Sequence, residues 1–226
     1  MSRETIGVEH LAKAYLNSKQ VVLAAGFGDE ILWQKNVRLD ALTEHELLRE
    51  TAWVILSAGM REAVIRKKFP DISEAFFLWK SARVIREHAS VCECTALKTF
   101  NHQRKIRAII DVARRIDASG FDKMKAEIVA DPLATLQKFP FIGQITVYHL
   151  AKNLGANVAK PDRHLTKLAW ACGFSDVQDF CQIIAGEVGD TVSEVDIVLW
   201  RFATLLGNYL DNFVAFSRGG RWELPL

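Results

Sequence analysis

The sequence is poor in the features that mark many specialised chains. It holds four cysteines in 226 residues, too few for a disulfide scaffold. Cys92 and Cys94 form a C-x-C pair with no histidine at zinc spacing, while Cys172 and Cys181 stand apart, so no metal site is expected. The same scatter lacks the compact ligand run of an iron–sulfur cluster. All four cysteines read as reduced thiols, and no cofactor is expected. No window approaches ~18 uninterrupted apolar residues, so no membrane span is expected. The start, MSRETIGVEHLAKAY, has no basic segment leading into an apolar one, so nothing marks the chain for export and a cytoplasmic location is expected. There is no low-complexity tract, internal repeat or flexible linker, so any two lobes are expected to pack closely.

What is present is the profile of a globular domain. Half the residues are apolar, 25% are charged and 10% are aromatic. The formal net charge of +2 conceals a strong asymmetry. Lys138, Lys152, Lys160, Arg163 and Lys167 face Asp162 alone within 138–167. Further basic blocks lie at 98–117 and at 61–68. By contrast, 174–200 holds Asp176, Asp179, Glu187, Asp190, Glu194 and Asp196 without a lysine or arginine. A basic side and an acidic side point to a polyanion partner on the basic one. Ordinary solvated helix faces are the competing explanation.

Apolar spacing is helical wherever it is strong. Ile106, Ile109, Ile110 and Ala113 recur at i, i+3, i+4 and i+7, as do Val147, Leu150, Ala151 and Leu154. The sets Leu165–Cys172 and Val177–Ile184 repeat it, and the longest stripe runs from Val195 to Phe213. Thr43-x-x-Glu46, Ser175-x-x-Gln178 and Thr191-x-x-Glu194 read as capping boxes, and Asp131 before Pro132 as an N-cap. Gly120, Gly155 and Gly173 fall where helices should end. Val21–Leu23 is the one candidate strand. The fold class expected is all-α.

The informative stretch is 132–167, with a helix-hairpin-helix read at 132–155. Pro132–Phe139 reads as a helix, Pro140-Phe141-Ile142-Gly143 as a tight turn, and a second helix starts at Gln144 or Ile145 and ends at Gly155. Such a turn leaves the next helix's amides unpaired at the positive end of its dipole, where they suit a phosphate oxygen. A helix hairpin packed in a core would look the same. Beyond it, Asp162 precedes another apolar helix. It could be an N-cap, a carboxylate held among Lys160, Arg163 and Lys167, or both.

Phe139-Pro140-Phe141-Ile142-Gly143 and Pro161-Asp162-Arg163-His164 together resemble the helix-hairpin-helix DNA glycosylases. Those proteins carry an LPGVG-type hairpin and then a V-D-x-H segment with a catalytic Asp, and nineteen positions separate Gly143 from Asp162 here. Trp53–Ala58 is similar to the family's LLSAQ segment and Asn101–Ile110 to its K-A-x-x-I helix, so the resemblance covers roughly 45–170 in register. It implies a two-lobed all-α fold with a cleft between lobes. Residues 40–160 would form the lobe with the hairpin, and 1–39 with 161–226 the other. The implied partner is double-stranded DNA, bound by a monomer. Lys138, Pro140, Phe141, Ile142, Gly143, Gln144, Ile145, Arg163 and Lys167 would contact it, and Asp162 would be catalytic. Met60 and Arg61, just past the LLSAQ-like segment, are candidates for the wedge that fills the gap left by a flipped base. A buried Met and a surface Arg are the alternative. His149 and His164 are assigned to structure.

The departures from the family pattern refine this. Phe141 replaces the hairpin's first glycine, a position that needs an unusual backbone geometry. Ile145 stands where bifunctional members carry the Schiff-base lysine, and Gly59 replaces the glutamine of the probing loop. The implied activity is that of a monofunctional DNA glycosylase. Candidates for the excised base are an alkylated or oxidised purine, or a deliberately modified base such as the hypermodified cytosines of phage DNA. The first would make it a repair enzyme and the second a defence enzyme. The alternative is a non-catalytic helix-hairpin-helix DNA-binding protein.

Overall fold

Every regular element in the computed structural model, which describes residues 6–218, is helical. Helices α1 (Val8–Ala24) and α2 (Gly28–Asn36) open the chain. Then come α3 (Glu44–Ser57), α4 (Glu62–Ala75), α5 (Ala82–Glu87), α6 (Ala89–Thr99), α7 (Gln103–Ser119), α8 (Phe121–Ala130), α9 (Pro132–Leu136) and α10 (Thr146–Asn153). The chain closes with α11 (Arg163–Ala171), α12 (Val177–Val188), α13 (Val192–Leu205) and α14 (Tyr209–Ser217). Two compact units result: Arg38–Ala156 is one, and Met1–Val37 with Asn157–Leu226 is the other. The ends of the second, 1–5 and 219–226, lie outside the described residues. No helix among those described is long and apolar enough to cross a membrane.

The unit of α3–α10 is organised around α7. Its stripe Ile106, Ile109, Ile110, Ala113 and Ile116 is buried throughout, and each buried isoleucine contributes about 1.5–3 kcal/mol. Thr43 and Glu46 close the capping box that starts α3, and Asp131 accepts the Ala134 amide to start α9. After α4 the chain makes a left-handed turn, with φ of 54°, 52° and 60° at Phe77, Leu78 and Trp79. Such geometry costs about 1–2 kcal/mol per residue. Trp79 secures it by stacking on Phe76 and Phe69, at 5.0 and 5.8 Å, and by donating its indole N–H to Ser73.

Glu50 is buried in the same unit, where its carboxylate accepts from Asn153 Nδ2 at 2.9 Å and pairs with Arg49. Burial pushes its carboxyl above the usual range, against the opposing pull of Arg49 and Asn153. A raised folded value means that the native state binds the proton more tightly than the unfolded chain. This contribution to stability is therefore fullest below the unfolded value of about 4.3 and is lost as pH rises through the folded value. Glu50→Gln removes that slope. Its stability relative to the parent, from denaturant midpoints, should improve steadily as pH rises from about 4 to 7. A difference independent of pH would contradict the assignment.

The other unit buries Leu11, Tyr15 and Val22 of α1 against Leu165, Phe180, Val198, Leu199, Phe202 and Phe213. Val21–Leu23, the candidate strand, is the last part of α1. Val21 and Val22 continue the buried face of Leu11, Ala14, Tyr15 and Ser18, so the helical stripe overrides the β-branched pair. The acids of 174–200 divide between solvent and structure: Asp176, Asp179 and Glu187 are exposed, while Asp190, Glu194 and Asp196 are drawn into the unit. Asp176 caps α12, Glu194 closes a capping box with Thr191, Asp190 binds Tyr15 and Lys19 at 2.5 Å each, and Asp196 is buried. Ser175 is not a cap: Asp176 accepts the Asp179 amide instead, and Gln178 is engaged elsewhere.

Candidate active site

Asp162 is the N-cap of α11. Its Oδ1 accepts the amides of His164 at 2.8 Å and Leu165 at 3.1 Å. Its Oδ2 accepts no hydrogen bond among the described residues. One oxygen thus fixes the carboxylate to the helix and the other remains available. Arg163 and Lys167 are exposed on the same helix. Beside the carboxylate, the His164 ring meets Tyr209 edge-on at 5.4 Å. Burial lowers the His164 pKa against the pull of Asp162, and Arg163 Nε donates to His164 Nε2 at 3.2 Å. His164 Nδ1 is buried without a hydrogen-bond partner among the described residues. Burial and the charge of Asp162 raise the Tyr209 phenol.

The segment leading into Asp162 is fastened peptide by peptide. Ala159 donates its amide to Gln178 Oε1 at 2.9 Å and accepts from Gln178 Nε2 through its carbonyl. Lys160 donates its amide to Asp196 Oδ2 at 2.7 Å. Asp162 donates its own amide to the Lys160 carbonyl at 2.7 Å, a three-residue turn around Pro161, which has no N–H to place.

In the unit of α3–α10 the hairpin forms with different bounds from those expected. The first helix stops at Leu136 and the second starts at Thr146. Residues 137–145 are spent on the turn, because Phe139 must bury its ring before Pro140. Phe141 takes φ +64°, the left-handed geometry that glycine adopts freely, with its ring 40% exposed. Ile142 is buried and donates its amide to the Phe139 carbonyl at 3.2 Å, so it supports the turn from beneath. The Gly143 amide donates to Thr146 Oγ1 at 2.7 Å. The amides of Gln144, Ile145 and Thr146 have no partner among the described residues. These three remain for an anion. Lys138, Gln144 and Ile145 have exposed side chains, and Pro140 is half-buried.

The first turn of α7 joins this hairpin to the segment that bears Met60 and Arg61. His102, the N-cap of α7, meets Phe141 edge-on at 6.4 Å and stacks on Phe100 at 6.0 Å. One turn on, the buried Lys105 donates its amine to the carbonyls of Leu56 at 2.7 Å and Ala58 at 2.6 Å. Those carbonyls end α3, directly before Gly59 at φ +71° and the exposed Met60 and Arg61. The turn and the candidate wedge therefore share one end of their unit, and Met60, 41% exposed, is not a core residue.

Lys105, counted by charge as part of a basic block, is a structural cation, and Lys152 is also buried. Sequence reasoning did not find the roles of Lys105, Gln178 and Asp196. A signal existed for two of them. Lys105 falls on the apolar arc with Ile109 and Ile116, and Asp196 on that with Val192 and Leu199. A charge on a buried arc must be spent on something.

No protein-family model matches the sequence, and no curated protein matches it. Among solved structures, the chain is similar to a Methanocaldococcus jannaschii 8-oxoguanine glycosylase/lyase in complex with a 15mer DNA containing 8-oxoguanine. The TM-score is 0.57 and the identity 19%, over 84% of this chain and 98% of that one. The fold of this chain is thus the all-helical fold of a helix-hairpin-helix DNA glycosylase.

Proposed function

We propose that the chain is a monofunctional DNA glycosylase that flips a damaged or modified base out of double-stranded DNA and hydrolyses its N-glycosidic bond. The observation that carries this reading is Asp162: one carboxylate oxygen bound to its own helix, the other without a partner, in a chain of glycosylase fold. In such a reaction the bond between C1′ and the base nitrogen breaks and the base leaves with the electron pair. Positive charge develops on the sugar, and a carboxylate beside it stabilises the transition state. Water then adds to C1′ and gives its proton to the carboxylate or to solvent.

The free amides of Gln144, Ile145 and Thr146 would hold a backbone phosphate with Lys138 contributing charge, and Arg163 and Lys167 would contact DNA phosphates from their own unit. Met60 or Arg61 would occupy the space of the flipped base. The protein would act as a monomer in the cytoplasm, in DNA repair or in defence against modified phage DNA.

Ile145 carries no amine, which supports hydrolysis without strand cleavage. DNA treated with the protein should contain abasic sites that break only after alkali or an added abasic-site nuclease. Borohydride should trap no protein–DNA adduct. Efficient trapping would overturn the monofunctional reading by requiring another amine to form the Schiff base.

A further inference from the structure

Three backbone hydrogen bonds to two side chains hold the segment before Asp162, and both side chains come from other helices. Gln178, in the first turn of α12, faces a single peptide residue with both ends of its amide. Its oxygen accepts the Ala159 N–H at 2.9 Å and its nitrogen donates to the Ala159 carbonyl. A side-chain amide supplies donor and acceptor in one plane at that spacing without a change of protonation. Asp196 lies 1% exposed in the apolar arc of α13 and accepts the Lys160 N–H at 2.7 Å. A buried carboxylate is costly unless it is bonded.

We propose that Gln178 and Asp196 are positioning residues that set the attitude of the Asp162 carboxylate by clamping Ala159 and Lys160. This rests on the reading of Asp162 as the catalytic acid. Its cap bonds tie Asp162 to α11 alone, through Oδ1. The peptide bearing Asp162 can still rotate about the start of that helix unless the preceding segment is held. Pro161 fixes its own φ, the Asp162 amide is closed onto Lys160, and the two side chains anchor the remaining peptides to α12 and α13. Every N–H from Ala159 to Asp162 is thereby bonded. The free Oδ2 is then presented in one direction, as an electrostatic stabiliser requires, because a misplacement of about 1 Å at such a group costs up to about 100-fold in rate.

The test compares Gln178→Met, of equal length but unable to clamp, Gln178→Glu, which retains the acceptor, and Asp196→Ala. Single-turnover base release is measured beside DNA affinity and thermal midpoint. Gln178→Met should lose about 10- to 100-fold in rate with DNA Kd held within about twofold. Gln178→Glu should fall between it and the parent, and Asp196→Ala should follow Gln178→Met. Parental rates in Gln178→Met and Asp196→Ala would overturn the proposal. So would a rate loss matched by equal loss of DNA affinity, since that reports general unfolding of the segment.

A second measurement separates this proposal from the reading beneath it. The carboxyl carbon of Asp162 is observed by NMR in the parent and in Gln178→Met under identical conditions. The proposal expects a changed chemical shift in the variant, whether or not the parent releases a base, and an unchanged shift overturns it. A parent that releases no base while the Asp162 shift moves in the variant would overturn the glycosylase reading and leave the clamp standing.

Discussion

Asp162→Asn should release no measurable base while binding DNA as the parent does. Asparagine keeps the size and the acceptor oxygen of the cap, so the bonds from His164 and Leu165 survive and the fold changes little. What is lost is the negative charge at the free oxygen. Removing one electrostatic element of this kind typically costs about 10²–10³ in rate, and a central one more. Affinity should hold or rise slightly, because an anion has been removed from among Arg163, Lys167 and Lys160. Release at the parental rate would remove Asp162 from the chemistry. Loss of DNA binding in a folded variant would make a non-catalytic DNA-binding protein the better account.

Gly155→Ala should destabilise the fold sharply. Gly155 follows α10 at φ +99°, where side chains are strained whatever the space. It also lies against backbone rather than a movable side chain. A Cβ would stand 2.4 Å from the Leu39 nitrogen and 2.5 Å from the Arg38 carbonyl carbon. Two backbone segments would have to part, and the turn bonds that close α10 would be disturbed with them, Gly155 N to Lys152 O and Ala156 N to Ala151 O. Overpacking of this kind costs about 1–3 kcal/mol, and the left-handed φ adds about 1 kcal/mol. The thermal midpoint should fall by roughly 5–15 °C at about 2–4 °C per kcal/mol. A midpoint within about 2 °C of the parent would contradict the contact.

These two residues mark what the sequence discloses and why. Asp162 and Gly155 were legible because caps and helix ends are local: an Asp before an apolar arc, a Gly after one. The helical class was legible for the same reason, since periodicity is written within each element. The Val21–Leu23 segment misled because three β-branched or long apolar residues outweigh their place in a longer stripe only when read alone. Ser175 misled because Asp176, one residue on, is an equally good cap and leaves Gln178 free to reach Ala159, nineteen residues away. Asp196 meets Lys160 across 36 residues. Partners so distant leave no periodic trace, and only a polar residue on a buried arc hints at them. Phe141 was legible as an anomaly, since the glycine it replaces fixes the geometry that Phe141 then adopts.

The central claim is that this chain breaks N-glycosidic bonds in DNA. The most direct measurement is incubation of the parent protein and Asp162→Asn with duplex DNAs containing alkylated purines, oxidised purines or hypermodified cytosines, followed by mass spectrometry of the small-molecule fraction. The account predicts a free base from at least one duplex, with a matching number of alkali-labile sites in its DNA, and none with Asp162→Asn. Tight binding of the same duplexes with no free base from any of them, or equal release by the parent and Asp162→Asn, would contradict it.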